Sequence, residues 1–244
     1  MSGSGGRPPV EASSRPYGVA RVPLAARSDC LVPAPPLPPI VLDHPLVRRA
    51  LTTLRDRRTD HGHFRHTLSD LSAILAYEAL RTLPVEPVTV ETPLESAEGV
   101  RLAREVVVVP VLRAGLGLVD GFVRFVPEAR IGHLGMYRDE QSHLPVDYYS
   151  NIPEQVRDAR VFVVDPMLAT GGSAAGAINH LKKRGARDIT FVCLVAAPEG
   201  VARLAEYHPD VQVVTAALDR ALDENAFIRP GLGDAGDRIF GTGP

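Results

Sequence analysis

The chain of 244 residues has no tryptophan, only two cysteines and few aromatic residues, and it carries almost no net charge. Aromatic residues make up 5% of the sequence, so we expect no stacking platform for single-stranded nucleic acid. A formal net charge of −2 gives no basic field that would attract nucleic acid. Two cysteines do not form a disulfide framework, which favours a reducing compartment. We therefore expect a cytoplasmic protein without a nucleic-acid partner.

Long apolar runs are missing as well. None approaches the roughly 20 residues that a membrane-spanning helix needs, and the N-terminus lacks the basic and apolar segments of a signal peptide. We therefore expect no membrane association. Residues 1–40 are rich in Pro, Gly, Ser and Ala, a composition that cannot bury enough apolar surface to offset its ordering entropy. The sequence predicts a flexible tail over residues 1–40 and one domain over residues 41–244.

The pattern of apolar residues predicts an α/β fold. Helical periodicity over residues 43–58 and 64–75 is followed by a strand at 85–91, which prolines restrict to a sheet edge. Four apolar, β-branched runs, at 106–111, 161–164, 188–197 and 211–216, then alternate with helix-like segments. Such alternation is typical of βαβ units, so we expect a parallel sheet flanked by helices.

The run at 161–164 leads into the part of the sequence that carries most of the chemical information. Asp165 follows this strand directly, and a carboxylate there lies in the crevice where open α/β sheets bind ligands. Gly171 and Gly172 allow the backbone to approach an anion, and a helix that starts nearby turns free N–H groups toward it. No lysine follows Gly172, so a Walker-type nucleotide loop is not expected. The pattern favours a sugar phosphate, with Asp165 accepting hydrogen bonds from ribose hydroxyls.

The segment 165–173 resembles the phosphoribosyl diphosphate (PRPP) motif of the uracil phosphoribosyltransferases. Segments 110–117, 135–138 and 230–237 resemble three further motifs of that family, in the family's order. Many phosphoribosyltransferases have a second acid where this chain has Pro166, and the uracil family has proline there. The resemblance extends from about residue 43 to residue 242.

This resemblance implies a fold, a reaction and a set of partners. The fold is a phosphoribosyltransferase-type parallel sheet flanked by helices, with a β-hairpin lid over residues 130–149 and a C-terminal hood loop. The reaction converts uracil and PRPP to UMP and diphosphate. Mg²⁺ is the implied cofactor, bound mainly through PRPP without a protein metal site. A homodimer or higher homo-oligomer and a GTP effector are also implied.

The resemblance assigns roles to individual residues as well. Catalytic roles fall on Arg138, Asp165 and Asp234. The uracil contacts are Ile228, Gly233, Asp234 and Ala235. PRPP-binding residues are Arg113, Arg138, Asp165, Pro166, Met167, Leu168, Ala169, Thr170, Gly171, Gly172, Ser173 and Asp234. Independently of the family, Arg113 lies in a turn after a strand, where a guanidinium can bind a second anion in pairs of hydrogen bonds.

Two alternatives stay open: a phosphoribosyltransferase for another base, and a non-catalytic regulator that senses UMP or PRPP on the same fold. Two other patterns are set aside. The spacing of Gly231, Gly233 and Gly236 matches a dinucleotide fingerprint, but the sequence stops eight residues later, so we expect no helix after it and no dinucleotide site. The histidines of segment 60–66 match no zinc spacing, and we expect a solvated helix start there.

Overall fold

The structure, a computed structural model, describes residues 35–138 and 145–243, with the backbone alone for residues 137, 138 and 145–147. Its helices are α1 (Pro45–Arg55), α2 (His61–Ala79), α3 (Leu116–Val123), α4 (Gly172–Lys183), α5 (Pro198–Tyr207) and α6 (Ala235–Phe240). Its strands are β1 (Ile40–Val41), β2 (Val85–Glu91), β3 (Ser96–Leu102), β4 (Val106–Leu112), β5 (Arg130–Ile131), β6 (His133–Arg138), β7 (Pro145–Asn151), β8 (Arg160–Val164), β9 (Met167–Leu168), β10 (Ile189–Ala196), β11 (Gln212–Leu218), β12 (Ala221–Leu222) and β13 (Ile228–Arg229).

The main sheet has the order β1-β11-β10-β8-β4-β6-β7, with β5 beside β4 and β9 beside β10. Its pairs are parallel except for β6 and β7, which are antiparallel. Strands β8 and β10 are buried along their whole length, as expected of strands covered on both faces. The predicted parallel α/β sheet is confirmed.

Alternate residues of the central strands enter two apolar cores on opposite faces of the sheet. On one face, Val108 and Phe162 pack with α1, α2, α3 and α6. On the other face, Val109 and Val163 pack with α4 and α5. The sheet therefore holds fixed the strand ends from which the candidate site is built.

The helix starts follow ordinary capping chemistry. Asp60 is the N-cap of α2, and its Oδ1 accepts hydrogen bonds from the N–H groups of Gly62 (2.8 Å) and His63 (2.9 Å). The histidine-rich segment is thus a helix start, as expected. Pro45 occupies the first turn of α1, where its missing N–H costs nothing. No helix in the described ranges is both long enough and apolar enough to cross a membrane.

The β-hairpin of residues 130–149 is present as the antiparallel pair β6–β7, with a bulge between Gly135 and Met136. Its tip, residues 139–144, lies outside the described residues. In a second hairpin, only the first strand was predicted. Strand β2 pairs antiparallel with β3 in a separate two-stranded sheet. Strand β3 was not predicted because its segment Ser-Ala-Glu-Gly has little strand propensity.

One expectation about the C-terminus is wrong. A helix does form there: α6 begins at Ala235, within the Gly231–Gly236 segment, and ends at Phe240. Asp234 caps this helix by accepting from the Asp237 N–H at 2.9 Å, and Ile239 is 3% exposed in the core. Capping and burial stabilise a helix of six residues that the sequence pattern does not reveal. At the other end of the domain, β1 begins at Ile40 and pairs with β11.

Candidate active site

Three neighbouring parallel strands, β4, β8 and β10, end at one edge of the sheet, and the predicted phosphate-binding residues in the loops after β4 and β8 lie there. Arg113 follows β4, and Asp165 follows β8. The loop after Asp165 is tied to β10, because the N–H groups of Leu194 and Ala197 donate to the carbonyls of Pro166 (3.0 Å) and Leu168 (2.9 Å). The predicted PRPP loop is thus an extension of the sheet.

The second half of this loop turns into α4 through a left-handed residue. Gly171 has φ = +76°, a conformation that glycine adopts without steric cost. It is the N-cap of α4 and provides no side-chain hydrogen bond, so the first turn of the helix leaves its N–H groups available. Thr170 and Ser173, both half-buried, supply hydroxyls on either side. Free amides, hydroxyls and a helix dipole together suit a phosphate group.

Close contact with α5 fixes the shape of the loop. A Cβ added to Gly200 would lie 2.4 Å from the carbonyl oxygen of Ala169 and 2.7 Å from that of Leu168. Only glycine at the start of α5 lets the two backbones come this close. The PRPP loop therefore has little freedom to move toward α5.

Asp165 is half-buried, and its environment disfavours the charged form. Burial raises the pKa of this carboxyl to about 7, and a long hydrogen bond from the Met167 N–H (3.4 Å) offsets little of that effect. Within the described part of the chain, no arginine or lysine lowers this pKa. Without a ligand, the protonated and ionised forms of the carboxyl therefore differ little in free energy near neutral pH.

This pKa predicts a pH-dependent stability. The folded protein holds the Asp165 proton up to about pH 7, whereas the unfolded chain loses it near pH 4. Between these values the folded state binds the extra proton, so the free energy of unfolding falls as pH rises through the window. In urea unfolding without ligand, we expect Asp165→Asn to gain stability relative to the wild type as pH rises, by about 2–3 kcal/mol between pH 5 and pH 8. An equal difference in the free energy of unfolding at both pH values would contradict the assigned environment.

The C-terminal loop, residues 228–235, lies against the PRPP loop. Ile228 is 3% exposed, whereas Gly233 and Asp234 are exposed. The peptide bond between Arg229 and Pro230 is cis. The two loops enclose a cleft of about 330 Å³, within the usual range for a small-molecule site. Its lining residues are Arg113, Ala114, Met167, Ala169, Ala226, Phe227, Ile228, Gly233, Asp234, Ala235 and Gly236.

Arg113 lies at the rim of this cleft, opposite the start of α6. Its side chain is 61% exposed, and its Nη2 lies 3.8 Å from Oδ1 of Asp237. Its guanidinium lies 5.8 Å from the ring centroid of Phe240. The peptide bond between Leu112 and Arg113 is cis. Among the described residues Asp237 is its one acidic partner, and at this distance the exposed guanidinium keeps donors available for an anionic ligand.

The predicted site residues fall into three groups. All four predicted uracil contacts line the cleft, together with Arg113, Met167 and Ala169 of the PRPP set. The same loop also contains predicted residues that do not line this cleft, namely Asp165, Pro166, Leu168 and residues 170–173. Of these, Gly172 lines a neighbouring cleft between α4 and α5. Arg138 ends β6, and its side chain lies outside the described part of the chain.

Sequence reasoning missed four residues of the cleft. Ala114 and Gly236 lie inside segments that resemble family motifs, whereas Phe227, 50% exposed, and Ala226, with φ = +64°, directly precede Ile228. A large exposed aromatic ring directly before the predicted contact Ile228 was the available signal. Asp237 accepts a hydrogen bond from the Thr242 hydroxyl at 2.7 Å and faces Arg113.

Comparison with known proteins decides the family. A family model described as uracil phosphoribosyltransferase matches residues 41–242. The chain belongs to the uracil phosphoribosyltransferase family. The uracil phosphoribosyltransferase of Salinibacter ruber is 68% identical over 202 residues, covering 83% of this chain and 96% of that protein. That of Streptococcus agalactiae serotype III is 53% identical over 203 residues, covering 83% of this chain and 97% of that protein.

A solved structure supports the fold of this uracil phosphoribosyltransferase family member. The AQ2163 protein from Aquifex aeolicus matches with a TM-score of 0.79 at 36% identity, covering 83% of this chain and 98% of that chain. The predicted phosphoribosyltransferase-type α/β fold is thereby confirmed. Among the described residues, no group of three or more His, Cys, Asp or Glu side chains could hold a metal ion. The carboxylates near the cleft suit an ion that arrives with most of its ligands on the substrate.

Proposed function

We propose that this chain transfers the phosphoribosyl group of PRPP to uracil, giving UMP and diphosphate. One observation carries the proposal: the PRPP loop and the C-terminal loop of the uracil family line one cleft. Met167 and Ala169 come from the first loop, and Ile228 and residues 233–235 come from the second. No observation on the described residues favours the alternative of a non-catalytic regulator.

Different groups of the chain bind different parts of PRPP. The amides at the start of α4 and the hydroxyls of Thr170 and Ser173 bind the 5′-phosphate. Asp165 accepts hydrogen bonds from the ribose hydroxyls. Arg113 and Arg138 bind the diphosphate, for which a planar guanidinium is well suited because it donates to phosphate oxygens in pairs. Asp234 contacts both substrates from the cleft wall.

The transfer replaces one bond at the ribose anomeric carbon with another. The bond from that carbon to the diphosphate oxygen breaks, and the electron pair leaves with diphosphate. The new bond forms from the uracil ring nitrogen, whose proton is released to water. We infer a transition state with cationic ribose character, in which the Asp165 carboxylate favours the positive sugar and the two arginines stabilise the leaving group. The positive charge that develops on the ribose in this transition state favours the ionised form of Asp165.

Uracil binds by hydrogen bonds to backbone groups of residues 233–235, with Ile228 and Phe227 against the ring. Exposed backbone donors and acceptors can match the alternating carbonyl and N–H groups of the uracil edge without a charged side chain. The match of residues 41–242 to the uracil family supports a pyrimidine over a larger base. We propose that Mg²⁺ enters on PRPP, held mainly by phosphate oxygens and water, where it would supply positive charge to the diphosphate.

A homodimer or higher homo-oligomer is part of the proposal. A groove of about 520 Å³ lies between β1, α1 and α2, away from the cleft. It exposes large apolar side chains, with Leu46 54%, Tyr77 62% and Phe125 47% accessible. Contiguous exposed apolar surface of this kind marks protein interfaces. Sedimentation equilibrium should give at least twice the mass of the 26.2 kDa chain, and a monomer at micromolar concentration would contradict this.

We also propose a cytoplasmic enzyme that responds to GTP.

The first experiment measures UMP formed from uracil, PRPP and Mg²⁺, with and without GTP, and with hypoxanthine as the control base. UMP from uracil and no product from hypoxanthine is the expected result, and faster turnover with GTP would support the effector. PRPP binding without product from any base would overturn the proposed activity and favour the regulator.

A further inference from the structure

Arg238 of α6 donates its side-chain hydrogen bonds to main-chain carbonyls instead of to a carboxylate. Its Nη1 donates to the carbonyls of Leu232 (2.8 Å) and Leu54, and its Nη2 donates to that of Asp56 (2.8 Å). Its guanidinium lies over the buried ring of Phe64, 4.4 Å from the centroid. Among the described residues it forms no ion pair. One half-buried cation therefore joins the C-terminal loop to the last turn of α1.

A second arginine makes the same connection from the other side. Arg55, the last residue of α1, binds the Asp219 carboxylate with both Nη atoms, at 2.8 and 2.6 Å. Nη1 of Arg55 also donates to the Gly231 carbonyl at 3.0 Å, and the Gly231 N–H donates to Oδ2 of Asp219 at 2.9 Å. Asp219 is 5% exposed, so this pair is shielded from water on the acid's side. Both main-chain groups of Gly231 are held by one ion pair.

These contacts fix residues 231 and 232, which directly precede the proposed uracil contacts Gly233 and Asp234. Arg65 of α2 holds the far end of the same segment by donating to the Ile239 carbonyl at 3.0 Å. Gly233 and Asp234 themselves are exposed toward the cleft. The backbone that reads the base is thus oriented by side chains that do not line the cleft.

We propose that Arg238 and the Arg55–Asp219 pair are positioning residues for base recognition, an inference that rests on the proposed function. Uracil is uncharged and depends on hydrogen bonds, whose strength falls steeply with distance and angle. PRPP is bound mainly by charge and by a separate loop between β8 and α4, with Asp234 as its one proposed contact from the C-terminal loop. A small displacement of residues 231–234 should therefore weaken the binding of the base much more than that of PRPP.

Arg238→Met tests this inference, because methionine keeps part of the apolar stem and removes every donor. Against a wild type that forms UMP, we expect the KM for uracil to rise about tenfold or more and the KM for PRPP to stay within about twofold. The Kd of UMP by calorimetry should rise in parallel. A general loss of structure would raise both KM values or lower kcat alone, and either result would overturn the inference.

Three further variants complete the experiment. Asp219→Asn keeps the shape of the acid but removes its charge, and it should shift the KM for uracil in the same direction. Arg238→Lys retains a donor and should recover part of the uracil affinity lost in Arg238→Met; if Arg238→Met does not fold, these two variants decide the question by the same KM ratio. Arg101→Met is the matched control, since Arg101 pairs with Glu86 on the exposed β2–β3 hairpin and should leave both KM values unchanged.

The outcomes separate this inference from the proposed function. A wild type that forms no UMP refutes the proposed function, and the KM comparison then has no meaning. If the wild type forms UMP but the two KM values of the variants change equally or not at all, only the positioning role is refuted. A selective rise in the KM for uracil in both Arg238→Met and Asp219→Asn supports it.

Discussion

Asp165→Asn is expected to lower kcat for UMP formation by about 10²–10³-fold. The amide has the size of the acid and can still accept a hydrogen bond from a ribose hydroxyl. It lacks the negative charge that favours a cationic ribose in the transition state. Because this effect arises in the transition state, the Kd of PRPP should change much less than kcat.

Two controls separate this loss from a folding defect. The variant should be at least as stable as the wild type at pH 8, because burial in the folded state disfavours the wild-type carboxylate. Asp210→Asn, at an acid paired with Lys182 far from the cleft, should retain wild-type kcat. If Asp165→Asn turned over uracil at the wild-type rate, the proposed role of this carboxylate would be wrong.

Gly200→Ala is expected to have the second largest effect, through the shape of the PRPP loop. The new Cβ would lie 2.4 Å from the Ala169 carbonyl and 2.7 Å from that of Leu168. Both neighbours are backbone atoms, so the loop must shift as a whole. We expect a loss of about 2–3 kcal/mol in the free energy of unfolding and a drop of at least about tenfold in kcat/KM for PRPP.

The matched control for this change is Gly99→Ala in the β2–β3 hairpin. A Cβ there meets the Val88 carbonyl at 3.6 Å, an ordinary contact. Urea unfolding and steady-state kinetics should show wild-type behaviour for this variant. If Gly200→Ala matched it in both measurements, the contact between α5 and the PRPP loop would not determine the geometry of the site.

The central sheet could be predicted from sequence because its strands are apolar on both faces. Strands β4 and β10 lie within one residue of their predicted bounds. Strand β3 and helix α6 could not be predicted in the same way. The first is stabilised by pairing with β2, and the second by the Asp234 cap and the burial of Ile239. Those contacts depend on the tertiary structure and leave no periodic pattern in the sequence.

The candidate site also contains residues that could be predicted from local sequence and residues that could not. Residues within one loop, such as Asp165 and Gly171, could be grouped from their spacing after a strand. The contact between Arg113 and Asp237 joins residues more than a hundred positions apart, and so does that between Arg238 and Leu54. Pairs of this kind are brought together by packing, which one sequence does not encode in any local motif. The family resemblance supplied the cleft residues but not the side chains that hold them in place.

A crystal structure with UMP bound tests the central claim most directly, namely that the PRPP loop and the C-terminal loop form one active site. We expect the 5′-phosphate at the start of α4, the ribose hydroxyls against Asp165 and the uracil edge on the backbone of residues 233–235. UMP bound elsewhere, or bound with its base away from the C-terminal loop, would contradict it.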